Sequence, residues 1–149
     1  MIILYCVSIV ILVLQDWRTR KVDLIWLLLF GGLQISTCIV HWSETLVYSS
    51  ITNLLMLVIL LSVIYLYAKW RGISFGNAWG IGDTVFLFIM ALGMDSPFYI
   101  QTIIISCVVA IIAYYIRLIE KSKHIPFISF LGVSLLINLF IQGEGLWVP

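Results

Sequence analysis

Charge is what this chain has least of. Only 10% of its 149 residues are Asp, Glu, Lys or Arg, 63% are hydrophobic, and the mean hydropathy is +1.17. Soluble globular domains hold roughly 45–50% apolar residues, so a water-soluble enzyme or binding module is a poor fit to the whole chain. There is no basic patch either. The formal net charge is +1, and all eight Lys and Arg residues sit beside apolar spans, which argues against nucleic acid as a partner because phosphate neutralisation needs clustered cations. Cysteine is sparse and scattered: Cys6, Cys38 and Cys107 lie in different apolar segments with no C-x-x-C pair. Neither a zinc site nor a disulfide framework is suggested, and the three read as small buried hydrophobes.

What the chain has is apolar runs, at 1–15, 22–40, 46–68, 84–94, 98–117 and 125–142. A spanning helix takes about 20 residues, so the expectation is an all-α polytopic membrane bundle of about six transmembrane helices, with 1–149 forming a single domain and no room for a soluble one. The first run has no basic residues ahead of it and no small-residue cleavage site, and is expected to remain as a span rather than leave as a signal. At about 1.5 Å per residue its 15 positions cover about 22 Å of an apolar slab about 30 Å thick, which draws Asp16 into the membrane edge. Gly31, Gly32, Ser36 and Thr37 give the second run a small-residue stripe suited to close helix approach.

The basic residues sort by side. Arg18, Arg20 and Lys21 follow the first run, Lys69 and Arg71 the third, and Arg117, Lys121 and Lys123 the fifth, while the other loops hold Glu44, Asp95 and Glu144 without Lys or Arg. The positive-inside rule then places the three basic loops in the cytoplasm and both termini outside, in the cell's inner membrane. That orientation accounts for Arg18, Arg20 and Lys21 without a further role, although they could also contact a substrate carboxylate or anionic lipid.

Two acidic residues stand where an apolar run meets a basic loop on that same side, Asp16 and Asp83. An ionisable group within a span costs about 2.5–3.5 kcal/mol on insertion scales, which makes it a functional candidate. Brought together, two such carboxyls cannot ionise independently and come to share a proton. That is the arrangement aspartic hydrolysis uses: the ionised member takes a proton from water, and the protonated member donates to the scissile carbonyl. Gly80 and Gly82, directly ahead of Asp83, permit unusual backbone angles and close approach of an extended substrate backbone. The plainer alternative is that Asp83 is the N-cap of the helix that follows, with the glycines an ordinary loop.

These residues carry a resemblance. GIGD at 80–83 resembles the G-x-G-D motif of the type IV prepilin peptidase family, DWRTRKV at 16–22 is similar to its first aspartate motif, D-x-R-x-R-x-I-P-N, and HIPFISFLGVSLL at 124–136 resembles its I-P-F-G-P-F-L-A-x-G segment. The three occur in the family's order over nearly the whole chain. The resemblance implies a membrane aspartic endopeptidase with Asp16 and Asp83 catalytic and Gly80, Gly82, Arg18, Arg20 and Pro126 in support. It further implies pilin-like precursors as substrates, cut at the cytoplasmic membrane face, and neither metal nor cofactor. Departures accompany it. Asp23 and Leu24 replace Pro-Asn, Thr84 and Val85 follow GIGD where the family has a lysine, and Ile128 and Ser129 replace Gly-Pro. If helix continues through this region Asp23 shares a face with Asp16 and rivals it for the pair. The cysteine-bearing insert of bifunctional members has no counterpart, so methylation of the new N-terminus is not expected. A small transporter, a structural subunit of a pilus or secretion apparatus, and a presenilin-like protease are the competing readings. His124 is expected to be interfacial, His41 to lie on the far side of the membrane, and Asn77 and Trp79 to be loop and interface residues.

Overall fold

The computed structural model describes residues 2–19, 22–116 and 127–142. Its elements are α1 (Ile2–Thr19), α2 (Leu24–Val40), α3 (Glu44–Trp70), α4 (Phe75–Ala78), α5 (Ile81–Ala91), α6 (Ser96–Tyr115) and α7 (Phe127–Gln142). The described residues contain helix and no strand, in line with the all-α expectation. Each apolar run appears as a helix, shifted by a few residues, and the four-residue α4 is an addition. Two of these helices, α3 and α6, are long and apolar enough to cross a membrane; α2, α5 and α7 are apolar but shorter. At about 1.5 Å per residue, the 27 residues of α3 reach about 40 Å. Its side chains turn mostly away from the rest of the chain, with Tyr48, Leu55, Val58, Ile59 and Leu66 all more than half exposed. A soluble core helix would bury such a surface.

Local chemistry sets where helices stop and turn. Ser43 caps α3 by accepting from the Leu46 N–H at 3.2 Å. At the other end Gly72 adopts φ +66°, the Gly72 N–H bonds the Lys69 carbonyl and the Ile73 N–H bonds the Ala68 carbonyl. That is a Schellman ending, which needs the left-handed conformation that glycine takes without strain. It redirects the chain into α4 and then α5.

The core joins α1, α2, α5, α6 and α7, with Leu57 from α3. Phe30 stacks on Phe86 with centroids 4.8 Å apart, and Tyr5 tilts onto Phe30 at 5.2 Å. Ile9, Leu12, Leu131 and Leu135 are buried in the same cluster, and α1 can lie close on α7 because a Cβ on Gly132 would collide with the Val13 side chain. The stripe on α2 is only half used. Gly31 and Thr37 are buried, Gly31 resting on Ile89 of α5, whereas Gly32 and Ser36 face outward. The cysteines are half-buried and free, Cys38 donating to the Leu92 carbonyl at 3.3 Å.

Hydrogen bonds fix which helix ends meet. Asn53 Nδ2 donates to the Ala91 and Met94 carbonyls at 3.3 and 2.7 Å, Ser50 to the Leu92 carbonyl at 2.8 Å, and Ser96 to the Ser49 carbonyl at 3.3 Å. These gather the start of α3, the end of α5 and the start of α6 at one end of the bundle. The end of α1 and the starts of α2, α5 and α7 lie at the other, and that end carries the acidic residues of interest.

Candidate active site

Asp16 sits in the last turn of α1, 7% exposed. A carboxylate there faces the negative end of its own helix dipole, which is unfavourable. The start of α7 offsets this. Ser129 donates to Asp16 Oδ2 twice, from its backbone N–H at 2.8 Å and from its hydroxyl at 2.8 Å. One residue earlier on α7, the Ile128 N–H donates to Asp83 Oδ1 at 3.1 Å. The two carboxylates thus sit on adjacent amides of one helical turn, and the Asp16 charge acts on Asp83. These amides are among the first four N–H groups of α7, which have no partner within the helix. Side chains 113 and 45 positions away along the chain supply the partners.

Asp83 is not an N-cap. The cap of α5 is Gly80, with Asp83 third in the helix. Its carboxylate folds back over Gly80. The glycines leave room for groups of the protein itself. Gly80 has φ −81° and ψ 138°, an ordinary extended conformation, but a Cβ there would lie 2.8 Å from Asp83 Oδ2. Gly82 is helical, and a Cβ on it would touch Ile128 Cδ1 at 3.4 Å. Gly80 thus admits the Asp83 carboxylate and Gly82 the side chain of Ile128 on α7.

Asp23 does not join the pair. Val22 and Asp23 are not helical, so the shared face of a continuous helix is absent. Asp23 is exposed, its carboxylate accepting from Gln15 Nε2 at 2.8 Å while its backbone N–H reaches Gln15 Oε1 at 3.3 Å. Arg18 is exposed and, two positions from Asp16, lies on a different face of α1. Arg20, Pro126 and His124 lie outside the described residues, as does the Asn77 side chain.

Trp79 is more than a loop residue. Its Nε1–H donates to Thr84 Oγ1 at 2.9 Å, and its ring lies 4.9 Å from Phe127. It thereby braces the segment ahead of Asp83 against the start of α7. Across the site Trp17 meets Phe130 edge-on at 6.2 Å. Sequence reasoning missed these braces and the donors on α7. The one signal pointing to them was Ser129 standing where the resembled motif has proline, since only serine offers an N–H and a hydroxyl. Among the described residues no three of His, Cys, Asp and Glu gather as metal ligands would. What the arrangement offers is a pair of carboxyls, one buried and one half-buried, oriented by backbone donors. No family model, curated protein or solved structure matches the chain.

Proposed function

We propose that the protein is an aspartic endopeptidase of the cell's inner membrane that removes the leader peptide of pilin-like precursors. In this reading it is a multi-pass bundle of about six spans with both termini outside the cytoplasm, and 1–149 is one peptidase domain. The observation that carries it is the meeting of Asp16 and Asp83 on consecutive amides of α7. The motif order along the sequence supports the substrate class, and the sorting of Lys and Arg to loops at the carboxylate end supports the cytoplasmic face.

The chemistry follows from the pair. One carboxylate takes a proton from water, whose oxygen attacks the scissile carbonyl, and the other, carrying the shared proton, hands it to the carbonyl oxygen. Burial strengthens both transfers by excluding competing solvent. A transporter would set its carboxylates near the midplane of internally repeated halves, whereas this pair lies at one end of the bundle. The capping contacts would also suit a non-enzymatic subunit, and cleavage separates the two readings.

The test is co-expression of a pilin-like precursor with wild type, Asp16→Asn, Asp83→Asn and Asp23→Asn, following leader loss by gel mobility. Wild type and Asp23→Asn are expected to cleave and the other two to fail; normal processing by Asp83→Asn would refute the mechanism. Cysteines placed at Glu44 and Arg71 and labelled from either side of intact cells check the orientation, with Glu44 reached from outside and Arg71 only from within.

A further inference from the structure

Both donors of Ser129 converge on one oxygen. Its N–H and hydroxyl each lie 2.8 Å from Asp16 Oδ2, whereas Asp83 meets α7 through Oδ1 and a single amide. A carboxylate oxygen offers two lone pairs. Asp16 Oδ2 therefore has both engaged, and among the described residues Oδ1 is the oxygen left to meet water. The Ser129 hydroxyl also has a second acceptor, the Val13 carbonyl at 3.2 Å. It carries one hydrogen and can serve only one of the two at a time. The residue is 2% exposed, so water does not compete for it.

We propose, building on the dyad reading, that Ser129 is a positioning residue that directs proton uptake to Asp16 Oδ1 and follows that proton by turning its hydroxyl from Oδ2 to the Val13 carbonyl. In the attacking step an O–H bond of water breaks, the proton passes to Asp16 Oδ1, the oxygen bonds to the scissile carbon, and the Asp83 proton goes to the carbonyl oxygen. On collapse the Asp16 proton goes to the departing amine nitrogen as the C–N bond breaks, and a hydroxyl of the diol returns its proton to Asp83. While Asp16 is charged the hydroxyl makes a strong, charge-assisted bond to Oδ2. Once Oδ1 is protonated that pull falls, and the Val13 carbonyl keeps the buried donor paired. Neither half of the cycle then leaves an unmet O–H in the core.

Steady-state cleavage of a pilin-like precursor by the full-length protein tests this, with wild type, Ser129→Ala and Ser129→Thr compared alongside their melting temperatures. Ser129→Ala keeps the N–H and loses the hydroxyl, and is expected to lower kcat by about tenfold with KM nearly unchanged. Ser129→Thr is expected to recover most of the loss. Wild-type kcat in Ser129→Ala, or a defect confined to KM, overturns the inference, as does a well-folded Ser129→Thr that is no better than Ser129→Ala. If threonine does not fit and that variant melts early, the kcat-against-KM result for Ser129→Ala decides alone. A wild type that leaves the precursor uncut removes the dyad reading itself, which distinguishes that failure from failure of the Ser129 role.

Discussion

The two ends of the bundle solve the same problem with opposite chemistry. At one, the α5–α6 turn leaves carbonyls at Ala91, Leu92 and Met94 in need of donors, and neutral side chains supply them: Asn53, Ser50 and Cys38. At the other, the start of α7 leaves N–H groups in need of acceptors, and two carboxylates supply them. Amides and hydroxyls would have served at both ends, as they commonly do at helix N-caps. Using carboxylates as the partners of α7 spends stability on groups that can exchange protons, because a buried carboxylate is tolerated only when its partners are in place. The comparison marks one end as a fastening and the other as a candidate for chemistry.

The largest expected effect breaks that contrast at the reactive end. Asp16→Asn and Asp83→Asn keep an acceptor for α7 and are expected to lower cleavage by about 10³-fold in a precursor assay while leaving the melting temperature nearly unchanged. The alanine variants should in addition lose about 1–3 kcal/mol of stability, read by thermal unfolding in detergent, because an α7 amide then lacks its partner. Next comes the fastening end. Asn53→Ala strips the donor from two carbonyls and is expected to cost about 2 kcal/mol by the same measurement, with normal turnover per folded molecule. Gly80→Ala sharpens the contrast further. The new Cβ pushes on Asp83 Oδ2, and kcat should fall about tenfold with little change in melting temperature, since a small displacement of a reacting group is costly. Smallest is Asp23→Asn, for which turnover within about twofold of wild type and stability within about 0.5 kcal/mol are expected, the residue being exposed and, among the described residues, paired with Gln15. A strong defect there would return Asp23 to the pair.

The helices were legible because each is a run of apolar side chains, and solvent preference alone marks such runs. Their junctions were less so. The break between Thr19 and Leu24, which separates Asp16 from Asp23, has no glycine or proline to announce it, and the Gln15 to Asp23 contact that holds it spans eight positions. Asp83 was readable as a candidate but not in its role. An aspartate ahead of an apolar run is the usual sign of an N-cap, whereas here the cap is Gly80 and the carboxylate reaches back from the third position. The backbone donors at Ile128 and Ser129 were beyond reach because such groups are common to nearly every residue type and are brought to the carboxylates by the packing of α1 and α5 on α7; only the Ser129 hydroxyl left a trace, as serine in place of the motif's proline. Trp79 was read as an interface residue by its type, yet its partners, Thr84 and Phe127, come from either side of a long stretch of chain.

The capping of α7 by Asp16 and Asp83 also dictates when during biosynthesis the two carboxylates can be held together. The acids are translated early, but the amides that orient them belong to the final described helix. A nascent chain halted before residue 127 holds two unmet acids and no means of aligning them. The paired arrangement of the two carboxylates therefore arrives only with the docking of that helix.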